Sequence, residues 1–306
     1  MELFLQYLVN ALALSAIYAL IAIGISLFFG IIGVVNLAHG DIAAVGVFAA
    51  LAVFQGVLGT AGTETPGLML SVAAIAAGVL AAVIVGVVFY LVALRPVAGA
   101  PPIIGLLSSV GAGFVIREAI LNFYPNGRNP QPFPSFVPPR SYDLGSVFID
   151  LKQIVLVVTT AILVVVLSFI VERTRLGRAT RSILNNREVA LSLGVPVLKV
   201  TLAMFVIGAT LAGIAGLLNA VYYNVVQSDM GVLLTVKGFT AAVVGGLGNI
   251  YGAVLGALLI GLIESMASGY LPDGSAYKDV AVFAVLIAVL IVRPVGLLGR
   301  ASGDRV

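Results

Sequence analysis

The sequence predicts an all-α fold, a polytopic helical membrane protein. At about 20 residues per helical span it has room for roughly eight to ten spans, some of them broken helices. Two observations predict this. Of 306 residues 61% are hydrophobic and only 9% are charged, whereas soluble domains run at about 45–50% apolar and about 25% charged. The apolar runs are also continuous and rich in Ala, Leu, Val and Gly, unlike the short alternating segments of a membrane barrel. So few charges cannot cover so much apolar surface in water. A soluble enzyme, a disordered chain and a nucleic-acid-binding domain are excluded. The chain has no cysteine and a net charge of +3, so it offers no thiol chemistry, and its basic excess reads as arginine placed on one side of a membrane.

The elements follow in order. Residues 3–30 form a first apolar stretch; lacking a basic leader, it reads as a retained span and not a cleaved signal. Residues 31–57 continue it but are interrupted by Asn36-Leu37-Ala38-His39-Gly40-Asp41. A Gly/Thr-rich loop is expected at 58–65, then a span from Pro66 to Leu94 closed by Arg95-Pro96, and another from Pro101-Pro102 to about Leu121. Residues 122–146 are rich in proline (Pro125, Pro130, Pro132, Pro134, Pro138 and Pro139) and read as an ordered or extended loop. A span at 147–171 leads into a polar island at 172–197, followed by a span at 198–224. Residues 231–269 are apolar but broken by a glycine patch at 245–252, and a last span covers 280–292.

The arginine bias sets orientation. The island, with Arg173, Arg175, Arg178, Arg181 and Arg187, and the C-terminal tail are expected to be cytoplasmic, and the 122–146 loop to lie outside. Residues 231–269 must then make two passes, or one pass and a re-entrant turn. The side of the N-terminus is left open. The whole chain, 1–306, reads as one transmembrane domain.

Three segments are candidate sites. The first is the break at 36–41. Irregular backbone at membrane depth survives only where protein or water covers it, and transporters use such breaks to aim helix ends at a substrate. One reading puts Asn36, His39, Gly40 and Asp41 on a translocation path. The other makes Asp41 an N-cap, with Gly40 supplying a tight turn. One His, one Asp and no Cys do not make a metal site.

The second is the run Gly245-Gly246-Leu247-Gly248-Asn249-Ile250-Tyr251-Gly252, then Gly256 and Gly261. Gly248, Gly252 and Gly256 would stack on one helix face and let helices approach closely. Gly245, Gly246 and Asn249 are candidates for the path. Lys237, upstream in an apolar segment, either lines the path or snorkels to the interface, and Glu264 is a similar case. Gly33-x-x-Asn36 and Gly246-x-x-Asn249 share a spacing that hints at an internal repeat. No Gly-rich stretch is followed by Lys-Ser or Lys-Thr, so the chain has no Walker A loop.

The third is the island. Asn185 or Asn186 is placed to cap a short helix starting near Arg187, with Glu188 in its first turn. Gly194 ends that helix and Pro196 prevents its extension. Ala179, Ile183, Val189 and Leu193 are expected to give the island one apolar side for a partner's groove. The competing reading is a surface loop that only sets topology.

Here the sequence resembles a known family. Glu188-Val189-Ala190-x-x-x-Gly194 is similar to the coupling motif of ABC importer permeases, Glu-Ala-Ala-x-x-x-Gly, with Val189 departing from Ala. Tyr18–Gly30 with Asn36-Leu37-Ala38-His39-Gly40, Gly177-Arg178-Ala179-x-Arg181 and the glycine run at 245–261 resemble the branched-chain amino-acid ABC permeases of the LivH/LivM type, closer to LivH, over roughly 5–300. The resemblance implies a multi-pass permease of the bacterial cell (inner) membrane. Its implied partners are a second related permease subunit, two cytoplasmic ATPase subunits and an extracytoplasmic substrate-binding protein. It implies ATP hydrolysis by those ATPase subunits, with no cofactor on this chain. Arg178, Arg181, Glu188, Ala190 and Gly194 become ATPase-coupling residues. Permeases for urea, amides or sugars are the neighbouring alternatives. An ion-coupled secondary transporter would need more intramembrane carboxylates than Asp41 and Glu264 supply, and a membrane enzyme would need a nucleophile–base or metal set that is not found.

Overall fold

The structure, a computed structural model, describes residues 2–59, 66–145 and 147–299. They form eleven α-helices: α1 (Glu2–Ile32), α2 (His39–Leu58), α3 (Leu68–Phe89, prolonged by a π-turn at Tyr90–Leu94 and a 3-10 turn at Arg95–Val97), α4 (Pro102–Phe123), α5 (Leu151–Arg173), α6 (Arg175–Asn185), α7 (Arg187–Ser192), α8 (Val197–Tyr223), α9 (Met230–Gly245), α10 (Ile250–Tyr270) and α11 (Gly274–Val292). Seven of the described helices are long and apolar enough to cross a membrane. The 16-residue α9, about 24 Å at 1.5 Å per residue, is shorter than the apolar layer, and the 19-residue α11 completes the bundle. Most of the Gly/Thr-rich loop, 60–65, and Arg300 and Arg305 of the tail lie outside the described residues.

Burial sorts the helices. α1 is apolar on every side and forms the axis of the bundle, with 89% of its best spanning window buried, whereas α5 buries only 17% and lies at the periphery. A helix apolar all round belongs at the centre or against lipid, and these two show both outcomes. Small residues set the spacing, as expected where helices associate without water to drive them together. Gly46 of α2 meets Gly78 of α3, and Gly86 of α3 meets Ala209 of α8.

The proline-rich segment is ordered by two short antiparallel ladders. β1 (Gln131–Pro132) pairs with β4 (Val225–Val226), and β2 (Ser141–Asp143) pairs with β3 (Phe148–Asp150). Asp150 caps α5 in a capping box with Gln153. The N-terminus, left open by the charge pattern, lies at this loop end. Gln6 Nε2 donates to the Phe148 carbonyl at 3.0 Å, and the Phe148 N–H donates to Gln6 Oε1 at 2.9 Å. α1 therefore runs from the loop end to the island end.

Residues 231–269 make two antiparallel helices, α9 and α10, joined by a turn at Gly246–Asn249. A second correspondence emerges. α1 ends at Gly33, φ +72°, and α8 ends at Asn224, φ +54°, both left-handed. Each is followed by Val-Val, then an amide residue, then a glycine at the same distance: Gly33-Val34-Val35-Asn36 to Gly40, and Asn224-Val225-Val226-Gln227 to Gly231. α2 and α9 begin at matching positions and run in opposite directions. Gly46 and Ala43 of α2 abut Gly213 and Gly216 of α8, Gln55 of α2 binds Gln131 beneath the loop end, and Gly245 at the end of α9 lies under the tail at the island end. The chain thus contains an inverted repeat, with α1–α2 related to α8–α9. Gly33 and Gly246 match in positive φ and in the amide three residues on, Asn36 and Asn249, whose Oδ1 accepts from the N–H two residues further.

Candidate translocation site and coupling segment

The break at 36–41 brings the chain back from the end of α1 into the bundle interior. Asn36, His39 and Asp41 are all buried. Asn36 Oδ1 accepts from the Ala38 N–H at 3.0 Å, and α2 starts at His39 with Ala38 in the cap position. Asp41 is therefore not the cap. It sits inside the first turn, 3.4 Å from Arg117 Nη2 of α4. An acidic residue suits a helix start, and a carboxylate in the apolar layer needs a counter-charge. Gly40 makes no tight turn; its role is contact. Its N–H donates to Thr235 Oγ1 at 2.8 Å, and a Cβ at Gly231 would stand 2.6 Å from the Gly40 carbonyl oxygen. The first turns of α2 and α9 touch backbone to backbone. His39 is wholly buried, its ring edge-on to Phe28 at 5.2 Å and seated over Gly24. Both its ring nitrogens lack partners, as does Asn36 Nδ2.

Lys237 does not snorkel. Its Nζ lies 2.6 Å from Glu264 Oε1 and 2.9 Å from Asp279 Oδ1. Tyr18 OH donates to Glu264 Oε2 at 2.8 Å, and Lys278 Nζ stands 3.5 Å from Glu264 Oε1. The side chains of Lys237 and Glu264 are 9% and 2% exposed. The unpaired cost of each charge in an apolar layer favours pairing over a reach of many ångströms to the interface.

Gly245, Gly246 and Asn249 are not brought to the break. They form the α9–α10 turn under the C-terminal tail, where Asn249 caps α10, its Oδ1 accepting from the Tyr251 and Gly252 N–H groups, and Asn249 Nδ2 donates to the Leu298 carbonyl at 3.0 Å. Gly248 precedes α10 with φ +84°, so it is a turn residue and does not share a helix face with Gly252 and Gly256. Those two do face α9: a Cβ at Gly252 would stand 2.5 Å from the Gly245 carbonyl oxygen, and Gly256 abuts Ala241.

In the island, Asn186 Oδ1 accepts from Glu188 N–H and Val189 N–H at 3.0 and 3.1 Å, starting α7 as the sequence predicts. Gly194, φ +77°, ends it. The Val195 N–H bonds Ala190 O and the Gly194 N–H bonds Leu191 O, both at 3.0 Å, the paired bonds of a Schellman turn. The apolar residues do not share one side. Ile183 and Ala190 pack inward on Val197 and Val200, with Ile31 of α1 against them, while Val189, Leu191 and Leu193 are exposed. Ala179 and Ile183 lie on α6 and Val189 and Leu193 at α7, so the four belong to two helices with different neighbours. Arg181 donates to the Val171 and Glu172 carbonyls at the end of α5, whereas Arg178 and Glu188 are exposed.

Sequence reasoning missed Arg117, Tyr18, Lys278 and Asp279. Arg117 carries a signal, a charge inside an otherwise apolar span. Lys278-Asp279 falls just before the last predicted span, where charges are ordinary. Tyr18 has no signal.

Broken helices meeting at mid-bundle, buried charges between apolar helices and a small helical segment at one end define a membrane permease. The profile described as "Branched-chain amino acid transport system / permease component" matches residues 7–290. The chain is 35% identical to the high-affinity branched-chain amino acid transport system permease protein BraD of Pseudomonas aeruginosa, covering 99% of this chain and 98% of that one. It is 34% identical to LivH of Salmonella typhimurium at the same coverage, and 26% identical to LivM of Escherichia coli over 95% of this chain and 69% of the other. The chain belongs to the branched-chain amino-acid transport permease family, on its LivH side, and is a multi-pass permease component of an ABC transporter in the bacterial inner membrane.

Proposed function

We propose that this chain is the membrane-spanning subunit of an importer for branched-chain or related amino acids, working with a second related permease, two cytoplasmic ATPase subunits and an extracytoplasmic binding protein. It binds no nucleotide itself, having no Walker A loop, and ATP is hydrolysed by its partners. The island end is cytoplasmic and the loop end outer. The observation that carries the coupling half of this reading is α7. Its inner side is fixed on Ile183, Val197, Val200 and Ile31, and its outer side presents Val189, Leu191 and Leu193 to a partner. ATPase closure displaces α7, and the displacement passes to the end of α1 and, through the Gly33 turn, to the buried start of α2. The 36–41 break rocks against α9 to give alternating access.

The test is ATP-dependent uptake of labelled leucine, urea and ribose by vesicles holding the whole complex. Leucine uptake is expected; uptake of urea or ribose instead would assign another substrate. Gly194→Val tests coupling. Open space surrounds a Cβ there, so its cost is conformational, about 1–2 kcal/mol for a β-branched residue in the left-handed region. Normal insertion with weakened ATPase association and lost uptake is expected. Full uptake with full association would return the island to a topology-setting loop.

A further inference from the structure

Lys237, Lys278 and Asp279 of the Lys237–Glu264–Asp279–Lys278 cluster line a cavity of about 300 Å³ between α1, α8, α9 and α11. The cavity reaches Tyr223 and Val225, the residues at which α8 passes into β4, so it opens toward the loop end. The charges divide into two layers. Lys237 forms the buried floor, with Glu264 behind it, their side chains 9% and 2% exposed. Lys278 and Asp279, adjacent at the start of α11, form the rim, their side chains 31% and 41% exposed. Each rim group has one ion contact, Lys278 to Glu264 at 3.5 Å and Asp279 to Lys237 at 2.9 Å. The four formal charges cancel. The remaining wall is apolar along Met230, Leu233 and Leu234 of α9 and Val225, and polar at Tyr18, Asn219, Tyr223 and Gln227.

We propose that this cavity binds the zwitterionic head of an α-amino acid, its carboxylate on Lys278 and its ammonium on Asp279, with its side chain against Leu233 and Leu234. The proposal rests on the amino-acid reading above and assigns that substrate a resting place within this subunit. A neutral cluster suits a neutral dipolar ligand. The zwitterion adds two charge-assisted contacts and leaves no net charge in the apolar layer, whereas a ligand with a single charge would leave one unbalanced. A few convergent polar groups on a mostly apolar wall is the usual make-up of a small-molecule site. The competing role for the same residues is a staple holding α11 to α9 and α10, with nothing bound.

The chain has no cysteine, so Leu233→Cys places a single reporter in this subunit. The complete importer carrying it is reconstituted in vesicles, a charged thiol reagent is added at the loop side, and labelling of this chain is followed by mass spectrometry. Leucine is expected to slow labelling several-fold. At the same concentration 4-methylpentanoate, which lacks the ammonium, and isopentylamine, which lacks the carboxylate, leave it unchanged. Leu144→Cys, exposed in the outer loop, is labelled at a rate insensitive to all three. Adding Lys278→Gln to Leu233→Cys raises the leucine needed for half-protection about tenfold, as loss of one charge-assisted contact requires. Protection by all three compounds alike, or none by leucine in vesicles that accumulate leucine, overturns the cavity proposal and leaves the transport reading standing. Failure of the unsubstituted complex to accumulate leucine overturns the transport reading itself, and this proposal with it.

Discussion

Gly40→Ala adds one methyl group at the place where two helix starts meet. The new Cβ would stand 2.5 Å from Thr235 Oγ1 and 2.8 Å from the Gly231 carbonyl carbon, with the carbonyl oxygen closer still. Two of these atoms are backbone, so no rotamer change relieves the clash, and α2 and α9 must part by about an ångström. Overpacking of this kind costs about 1–3 kcal/mol, and stretching the Gly40 N–H to Thr235 Oγ1 bond adds about 1 kcal/mol. A loss of about 2–4 kcal/mol is expected. Gly56→Ala in the same helix is the matched control. Nothing lies within 4 Å of a Cβ there, and alanine in place of glycine favours a helix by up to about 1 kcal/mol. Residual monodisperse complex after heating in detergent, read by size-exclusion chromatography, measures both. Gly40→Ala should melt well below the native complex and Gly56→Ala at or above it. Equal melting of all three would show that the two helix starts do not touch.

Gly252→Leu drives a bulky side chain into the Gly245 backbone, so loss of folding or assembly is expected in place of a selective transport defect; a stable, assembled complex would place that face away from α9. Asp41→Asn keeps the size of the side chain but strips Arg117 of its counter-charge, so transport should fall while assembly persists; full transport by Asp41→Asn would remove the pair from function. Lys237→Met leaves Glu264 with only Tyr18 and Lys278 as partners, and breaking a buried pair costs about 3–5 kcal/mol, so yield of folded protein should drop sharply; normal yield and melting would mean that the cluster is hydrated and weak. Reversal of Arg178 and Arg181 separates topology from coupling: accessibility of tags at both ends should remain unchanged, and inversion of the neighbouring spans would favour the topology-setting role.

What the sequence made legible was local. The apolar runs located the long helices because a helix in lipid must be apolar over its whole length. Asn186 and Gly194 marked the ends of α7 because caps act within a few residues. The break at 36–41 was visible as polarity in an apolar run. Partners across the bundle were not visible. Asp41 looks like a cap until Arg117, from another helix, is beside it. Lys237 looks like a snorkelling lysine until Glu264 and Asp279 come within reach. Gly40 reads as a turn residue because its actual neighbour, Gly231, lies most of the chain away. The glycine spacing at 248, 252 and 256 suggested one helix face, but helix α10 starts after Gly248, and spacing alone does not say where a helix begins.

The inverted repeat gives the two charge clusters a common logic. In each half, the helix that starts inside the bundle holds a more exposed helix by an ion pair: Asp41 of α2 reaches Arg117 of α4, and Lys237 of α9 reaches Asp279 of α11. The acid lies on the inner helix in the first pair and on the outer helix in the second. Both outer helices need such a tie. α4 buries only Gly105, Ser109, Gly113 and Ile120, and Val282 is the one apolar side chain fully buried among the described residues of α11. Apolar packing contributes little between helices that lipid solvates equally well, so an ion pair in the apolar layer fixes where each outer helix sits without burying its length. Rocking of α2 and α9, whose starts meet at Gly40 and Gly231, would thus be transmitted to α4 and α11 at the depth of the buried charges.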